Sequence, residues 1–468
     1  MVSPTVIKRL TEIVGPKNVL NSQEDRIVYS YDGTPALTQL PDAIVIPKSV
    51  TDISQILKLA NEKRFIVVPR GSGTGLSGGS IPVANSIVLL LNHWNNILEI
   101  DTDNLTAQVE PGVITAQLHQ QVESIGLFYP PDPGSMTICT IGGNVAENAG
   151  GLRGLKYGVT KNYVLGLEAV LATGEIADLG GKNVKDVAGY NLKDFLIGSE
   201  GTAAIFTKIL LKLIPKPQTY KTILAYFNTI NAAAQTVSDI IAARIIPATL
   251  EFLDNTTIRC VEDYVKIGLP KDVGALLLIE TDGHPVQVEE DANQILPICK
   301  NNRATQIKIA QDDKESDKLK TARRSAFAAL ARVKPTTILE DATVPRSQIA
   351  PMVKRIQEIA REQNLTIGIF GHAGDGNLHP TALTDERDNA EMARVEKAFE
   401  QIFESAKQLG GTISGEHGVG LTKKKFLTKW ISPGEWVMMQ KLKSLLDPNN
   451  ILNPGKVFDA SPKCESYH

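Results

Sequence analysis

The sequence has few cysteines, no long apolar run and no excess of charge. Its four cysteines, Cys139, Cys260, Cys299 and Cys464, are scattered, with no Cys-x-x-Cys pair among them. This spacing argues against an iron–sulfur cluster held by this chain alone and predicts free thiols in a reducing cytoplasm. Apolar runs such as 87–91 are far too short to span a bilayer. The first ten residues lack the apolar core of a secretory signal, so we expect a cytoplasmic protein, at most peripheral at a membrane.

The charge balance is nearly neutral. Lys and Arg number 49 and Asp and Glu 52, a formal net charge of −3. A nucleic-acid-binding protein usually has a basic excess, so no nucleic-acid partner is expected. Apolar residues make up 42% of the 468 residues, which with the 37 glycines is ordinary for a globular protein. The length corresponds to two or three domains.

Glycine is concentrated in short segments, and five of the nine residues 71–79 are glycine. This segment contains Gly73-x-Gly75-x-x-Gly78, the literal dinucleotide-binding pattern. A Rossmann loop must open a helix, whereas the run at 87–91 favours a strand. We therefore expect a strand–loop–strand whose backbone N–H groups form an anion-binding nest. The alternative is a plain glycine-rich turn.

Two further segments rich in Gly, Ser and Thr follow, at 130–151 and 198–202. The segment at 198–202 directly precedes a predicted strand at 203–213. Three such loops in one domain can wrap a large ligand that carries a diphosphate.

Four motifs stand in a distinctive order: Arg-Gly-Ser-Gly-Thr-Gly-Leu-Ser-Gly-Gly, Pro-Asp-Pro, Thr-Ile-Gly-Gly-Asn and Gly-Ser-Glu-Gly-Thr. This order resembles the flavin-binding half of the vanillyl-alcohol-oxidase/PCMH superfamily, and in particular its FAD-linked D-2-hydroxyacid dehydrogenases of the glycolate oxidase and D-lactate dehydrogenase type. The resemblance runs from about residue 41 to 456. It implies FAD rather than NAD, bound non-covalently because the first glycine loop has neither His nor Cys.

The resemblance also implies which residues bind the cofactor. They are Arg70, Gly71, Ser72, Gly73, Thr74, Gly75, Leu76, Gly78, Pro131, Asp132, Ser135, Thr140, Gly142, Gly143, Asn144, Asn148, Gly150, Gly151, Tyr157, Gly158, Glu200, Gly201, Ile205 and Asn453.

Two prolines within 213–217 mark a connector between domains. We expect an α+β fold, with a PCMH-type FAD-binding domain of two α+β subdomains at 1–215. A substrate- and metal-binding cap at 216–430 mixes strands with long helices, which favours an antiparallel sheet. The segment 431–468 is expected to return to the FAD domain.

Histidines occur in two glycine-rich stretches. His372 and His379 flank a Gly-Asp-Gly turn, and Glu416 and His417 lie in Ser-Gly-Glu-His-Gly. Imidazole and carboxylate are the usual ligands of zinc-type ions, although a hydrogen-bonded turn with two buried histidines is the alternative. The resemblance implies a divalent metal, zinc or manganese, at His372, His379 and Glu416, with His417 as general base.

Thr321-Ala-Arg-Arg-Ser-Ala-Phe327 is similar to the family's Arg-Lys-Asn-Ala-Phe stretch. The match implies that Arg323 binds the substrate carboxylate through its planar fork, while Arg324 is expected on a solvated helix face. Relatives that oxidise diacids carry a lysine where this chain has Leu339. That difference favours a small monoacid, glycolate or D-lactate.

The sequence thus predicts an FAD-dependent dehydrogenase that oxidises a small 2-hydroxy acid to the 2-oxo acid by hydride transfer to flavin. Three alternatives stay open: a D-2-hydroxyglutarate-type enzyme of the same family, a flavin-binding subunit active only in a larger complex, and a metal-dependent hydrolase. Electrons would leave to a quinone, an iron–sulfur subunit, a soluble carrier or oxygen. A homodimer or a complex with other subunits is possible.

Overall fold

The computed structural model describes residues 1–459, and Cys464 lies outside them. Cys139, Cys260 and Cys299 are free thiols, as expected. The described chain has the predicted α+β fold. Within it, no helix is both long and apolar enough to cross a membrane.

The first half of the chain contains eleven strands and seven helices. The strands are β1 (Val19–Leu20), β2 (Ala43–Val45), β3 (Ile66–Arg70), β4 (Ser86–Leu90), β5 (Ile97–Asp101), β6 (Thr106–Val109), β7 (Leu127–Phe128), β8 (Val164–Leu171), β9 (Ile176–Gly180), β10 (Ala204–Lys212) and β11 (Ile214–Pro215). The helices are α1 (Pro4–Val14), α2 (Gln23–Val28), α3 (Val50–Lys63), α4 (Thr115–Glu123), α5 (Ile141–Glu147), α6 (Gly154–Tyr157) and α7 (Leu192–Leu196). Single 3₁₀ turns lie at Pro16–Asn18 and Thr160–Asn162.

These elements build two sheets. One has the order β1-β2-β4-β3, with β2, β3 and β4 parallel, and α3 packs on it as the crossover. The other is antiparallel, in the order β5-β6-β10-β8-β9. The first glycine loop leaves β3 and leads into β4. The prediction of a strand–loop–strand, rather than a Rossmann loop, is therefore confirmed.

The second glycine segment differs from its prediction as a loop, because residues 141–147 form the helix α5. The Thr140 hydroxyl caps it by accepting the Gly143 N–H at 3.3 Å, and Ile141 and Val145 are buried. Cap and burial together offset the poor helix propensity of two glycines. The helix ends at Asn148, which has the left-handed φ of 53°.

The second half contains one eight-stranded antiparallel sheet in the order β15-β12-β14-β13-β18-β19-β16, with β17 also paired to β19. Its strands are β12 (Thr219–Phe227), β13 (Thr249–Asp254), β14 (Ala275–Gly283), β15 (Ala304–Ile309), β16 (Thr336–Leu339), β17 (Ala342–Thr343), β18 (Thr366–His372) and β19 (Asn377–Thr384). Its helices are α8 (Ile230–Ala242), α9 (Asn255–Val265), α10 (Pro285–Asn301), α11 (Asp313–Arg324), α12 (Ala326–Leu330), α13 (Ile349–Glu362), α14 (Asn389–Gln408), α15 (Lys424–Trp430) and α16 (Pro433–Leu446), with a 3₁₀ turn at Arg346–Gln348.

Helices cover both faces of this sheet. Along β12, Ile223, Ala225 and Phe227 belong to one buried cluster and Leu224 and Tyr226 to another. This alternation is what a strand buried on both faces requires. The sheet is therefore a platform buried on both faces, and its β18–β19 hairpin carries the two histidines of the first motif.

The chain returns to the first half after α16. The Val67 N–H donates to the Ile451 carbonyl at 2.8 Å, and the Asn453 N–H donates to the Val67 carbonyl at 3.0 Å. This pairing extends the first sheet beside β3. It places Asn453 next to the strand that leads into the glycine loop.

Candidate active site

A cavity of about 740 Å³ is lined by residues from both halves of the chain. This volume suits a large organic ligand. Of the predicted cofactor residues, those lining it are Arg70, Gly71, Ser72, Gly73, Thr74, Gly75, Leu76, Ser135, Thr140, Gly142, Gly143, Asn144, Gly150, Glu200, Gly201 and Ile205. The predicted metal ligands, His417 and Arg323 line it as well.

The glycine loop lies tightly against its neighbours. A Cβ on Gly71 would lie 2.3 Å from Thr140 Oγ1, and one on Gly73, at φ +70°, would lie 2.2 Å from Arg70 Nη2. Arg70 is buried, and its Nη1 has no hydrogen-bond partner within residues 1–459. A buried cation with a free donor beneath a loop of backbone N–H groups fits a bound diphosphate. The residues present therefore fit FAD.

Eight predicted cofactor residues do not line the cavity: Gly78, Pro131, Asp132, Asn148, Gly151, Tyr157, Gly158 and Asn453. Some of them instead hold the loops in place through hydrogen bonds. The Asn453 amide donates to the carbonyls of Gly79 and Glu200, both at 2.8 Å. The Tyr157 hydroxyl donates to Asp282 at 2.8 Å and so ties the two halves together.

The β18–β19 hairpin sets the two histidines side by side. Phe370 pairs with His379 and His372 with Asn377, so His372 and His379 are diagonal neighbours on one face. Their ring centroids are 5.2 Å apart. The turn needs glycine, because a Cβ on Gly376, at φ +88°, would lie 2.0 Å from the Val344 carbonyl oxygen.

Asp341, which the sequence analysis did not identify, holds the loop that carries Glu416 and His417. Its Oδ2 accepts the N–H groups of Gly415, Glu416 and His417 at 2.8, 2.9 and 3.0 Å. Burial alone would raise the pKa of Asp341, but the cation of Lys423 and the nearby histidines outweigh it and hold the pKa below its usual range. Asp341 is thus a buried anion that fixes the loop.

Three imidazoles converge on one oxygen of Glu416. The Nε2 atoms of His372, His379 and His417 lie 3.1, 3.3 and 3.6 Å from Glu416 Oε1. Ligand atoms of His372, His379 and Glu416 all lie within 4.8 Å of one another, as do those of Asp341, His379 and His417. The structure therefore brings His417 into the same cluster as the three predicted ligands.

The donor set fits a divalent metal. Two imidazoles and a carboxylate suit zinc, manganese or iron. His379 offers Nε2 to the cluster, whereas its Nδ1 is buried without a hydrogen-bond partner in the described chain, so no hydrogen bond from a second group orients this ring. His372 Nδ1 lies 2.7 Å from Glu251 Oε1, a carboxylate–histidine contact typical of metal-ligating histidines. Glu251 was also missed from the sequence.

Burial and neighbouring charges together set the protonation of the cluster. It lowers the pKa of His417 to about 4, with His379 and Lys423 acting in the same direction against Asp341 and Glu416. The imidazole of His417 is therefore neutral at neutral pH, the protonation state that a proton acceptor requires. Burial would also lower the pKa of His372, but the carboxylates of Glu251 and Glu416 outweigh it and raise that pKa well above its usual value.

Arg323 and Arg324 point to different partners. Arg323 is 6% exposed, its guanidinium lies 4.9 Å from the Phe370 ring centroid, and its Nη2 lies 2.5 Å from Glu251 Oε2. This contact is an ion pair without the alignment of a hydrogen bond. Arg324 lines the cavity and pairs with Asp132 at 3.2 Å. Its predicted solvated position is wrong, because α11 ends against the loop that carries Asp132.

Two glutamates, Glu200 and Glu147, lie in the cavity wall, and Glu200 connects a cofactor loop to the loop that carries Glu416 and His417. Glu200 accepts the N–H groups of Val419 and Gly420 at 2.7 and 2.6 Å. Burial raises the pKa of Glu147 well above its usual value, and Glu200 adds to this effect. Glu147 was not predicted, although it lies within the second glycine segment.

The chain matches two FAD-linked families along most of its length. Residues 216–457 match the family described as FAD linked oxidases, C-terminal domain, and residues 41–180 match an FAD binding domain. The chain is 57% identical over 458 residues to glycolate oxidase subunit GlcD of Bacillus subtilis, covering 98% of this chain and 97% of that protein. It is 38% identical over 436 residues to D-lactate dehydrogenase of Archaeoglobus fulgidus, covering 92% and 95%.

Solved structures show the same fold at low sequence identity. A p-cresol methylhydroxylase structure has a TM-score of 0.80 at 17% identity and covers 98% of both chains. An alkyldihydroxyacetonephosphate synthase structure has a TM-score of 0.75 at 20% identity, covering 97% of this chain and 86% of the other.

Proposed function

The chain belongs to the FAD-linked oxidase family and binds FAD, and we propose that it oxidises a small 2-hydroxy acid, glycolate or D-lactate, to the 2-oxo acid. One observation carries the proposal: a single cavity is lined by the glycine loops, the His–Glu cluster and Arg323. In a metal-dependent hydrolase the glycine loops would be merely structural, and the match to an FAD-binding family contradicts that alternative.

The cofactor, the His–Glu cluster, Arg323 and His417 each have a part in the proposed reaction. FAD, when bound, supplies the oxidant, and a divalent cation at His372, His379 and Glu416, when bound, lowers the pKa of the substrate hydroxyl. Arg323 binds the substrate carboxylate. His417 Nε2 accepts the hydroxyl proton. Asp341 keeps His417 in place by accepting the backbone N–H of His417.

Substrate size is set by the cations available in the cavity. Leu339 is apolar, and no lysine of the described chain lines the cavity. Arg323 is engaged by the first carboxylate, and Arg70 lies at the glycine loop. Among the lining cations of residues 1–459 only Arg324 remains, and a second substrate carboxylate could reach it only by displacing Asp132. We expect kcat/KM for glycolate or D-lactate to exceed that for D-2-hydroxyglutarate by at least ~10-fold, a ratio that needs only about 1.4 kcal/mol. Steady-state kinetics with the three acids measures it.

A matched variant checks the reason for this preference. Leu339→Lys should lower the ratio of kcat/KM for glycolate or D-lactate to kcat/KM for D-2-hydroxyglutarate, because it provides a cation for the second carboxylate. Faster oxidation of D-2-hydroxyglutarate by the unmodified protein would contradict the size argument. Some other cation, Arg324 or Lys334, would then have to reach the second carboxylate.

Packing between the two halves leads to another prediction. A Cβ on Gly150 would lie 2.6 Å from Glu416 Oε2, so Gly150→Ala should displace that side chain from the histidines. We expect at least ~10-fold lower kcat and weaker metal retention, because small displacements of catalytic groups are costly. Gly134, which also lines the cavity, has nothing within 4 Å of its Cβ position, and Gly134→Ala is the control. Equal kcat and metal content in the two variants would contradict this account of Gly150.

We further propose that electrons pass from FAD to a partner subunit or carrier. Support comes from the name of the Bacillus subtilis relative, which is a glycolate oxidase subunit. The cysteines of residues 1–459 are Cys139, Cys260 and Cys299, too far apart in sequence to form an iron–sulfur motif. Affinity purification of the tagged chain from its native host under mild conditions tests whether other subunits copurify with it.

A further inference from the structure

We propose that Glu251 is a positioning residue that orients the metal ligand His372 and, through its other oxygen, serves as the buried counter-charge of the carboxylate anchor Arg323. The inference rests on the proposed function and concerns how one carboxylate acts on its two binding groups. Glu251 Oε1 lies 2.7 Å from His372 Nδ1, and Oε2 lies 2.5 Å from Arg323 Nη2. One carboxylate therefore contacts both groups, one through each oxygen.

Strand register places Glu251 there. On β13 and β18, Phe252 pairs with Gly371 and Leu253 with Phe370. One step further along this antiparallel register, Glu251 stands opposite His372. Directly opposed residues share a face of the sheet and have neighbouring side chains. The contact with His372 thus follows from the backbone of the platform.

The surroundings give Glu251 few other partners. It is 0% exposed, and a buried carboxylate is costly unless it is paired. Arg323 is itself buried, and Phe370 lies against its guanidinium. Glu251 and Arg323 therefore neutralise each other through Oε2. The other oxygen, Oε1, sets the orientation of the His372 ring.

The shared carboxylate has a consequence that separates positioning from binding. In Glu251→Gln, Arg323 loses its buried counter-charge, and the substrate carboxylate becomes the anion nearest to it. Substrate binding should therefore be kept or strengthened. His372 loses the charged acceptor at Nδ1, so metal binding and turnover should weaken. A merely structural residue would not separate the two in this way, since damage to the pocket would weaken binding as well.

The experiment compares Glu251→Gln with Glu280→Gln in FAD-loaded protein. Glu280 is a buried glutamate on the adjacent strand β14, where it pairs with Lys320 at 3.0 Å. Each protein is loaded with Zn²⁺ or Mn²⁺ and titrated with a chelator, and the retained metal is measured by mass spectrometry. Steady-state kcat and KM for glycolate and D-lactate are measured on the same samples.

For Glu251→Gln we expect metal loss at 10–100-fold lower chelator concentration, the usual scale for removal of such a partner. We also expect kcat to fall at least ~10-fold while KM stays within ~3-fold of the unmodified protein or decreases. Glu280→Gln should match the unmodified protein in all three quantities. Unchanged metal retention and kcat in Glu251→Gln would overturn the inference, and so would a KM that rises by ~10-fold or more.

Glu251→Asp covers the case in which Glu251→Gln does not fold. It keeps the charge but is one methylene shorter, so it cannot reach both partners, and we expect kcat to fall again by ~10-fold. Turnover by Glu251→Asp equal to the unmodified protein would overturn the inference. Failure of the proposed function is distinguishable, because then the unmodified protein would itself retain no metal or oxidise neither acid.

Discussion

Replacing His372, His379 or Glu416 by alanine is expected to abolish turnover while FAD stays bound. The three side chains lie in the second half of the chain, at the β18–β19 hairpin and the loop held by Asp341. The glycine loops that fit the cofactor belong to the first half. Loss of any one of these proposed metal ligands should therefore leave the yellow colour of the protein unchanged.

The expected loss is large because of the chemistry that the metal supplies. An alcohol proton is far too weakly acidic to be removed at neutral pH, and a bound divalent cation lowers such a pKa by many units. We expect at least ~10³-fold slower flavin reduction in each variant. Stopped-flow absorbance gives the rate, and the flavin and metal contents are measured on the same samples.

An exposed histidine outside the cavity provides the control. His93→Ala should keep metal, flavin and rate. Loss of FAD from all three ligand variants would count against a metal site that is separate from the flavin site. A normal rate in any one of them would remove that residue from the proposed ligand set.

The second large effect is expected for His417→Asn. This change removes the proposed proton acceptor while keeping a polar side chain of similar size. Flavin reduction should slow by at least ~100-fold, the usual scale of general-base loss, with metal and flavin contents unchanged. Stopped-flow reduction by D-lactate or glycolate provides the rate.

The structure makes the metal content of this variant decisive. His417 Nε2 lies 3.6 Å from Glu416 Oε1, only slightly farther than the two predicted ligand histidines. If His417 were itself a ligand, His417→Asn would lose metal as His379→Ala does. A near-normal rate of reduction would instead place the base elsewhere.

Much of the fold could be predicted because its signals are local. The β-branched residues 66–68 before the first glycine loop and the apolar run at 87–91 after it favour strands through their own residue types. The helix α5 could not be predicted in this way. Its glycine pair favours a loop, and only the burial of Ile141 and Val145 in the folded domain reverses that preference.

The supporting residues of the site were beyond sequence reasoning. Glu251 lies 121 positions from His372, and their contact depends on the register of β13 against β18. Asp341 lies 75 positions from Glu416. Nothing in the local sequence around either acid distinguishes it from an ordinary buried or surface carboxylate.

Arg323 and Arg324 show the same limit at short range. Adjacent residues on a helix face different directions. Sequence alone cannot tell which of the two meets solvent once another domain packs against the end of the helix. In the folded chain, Arg323 pairs with Glu251 and Arg324 with Asp132, so neither is free in solvent.

Anaerobic flavin reduction in metal-loaded and metal-depleted protein tests the central claim most directly. Purified protein is divided, one half is treated with a chelator and the other is loaded with Zn²⁺ or Mn²⁺, and both are mixed with glycolate or with either enantiomer of lactate. We predict rapid bleaching of the flavin by glycolate or D-lactate in the loaded half, and restoration of that bleaching when metal is returned to the depleted half. Flavin that stays oxidised with all three acids, or that bleaches equally fast without metal, would contradict the account.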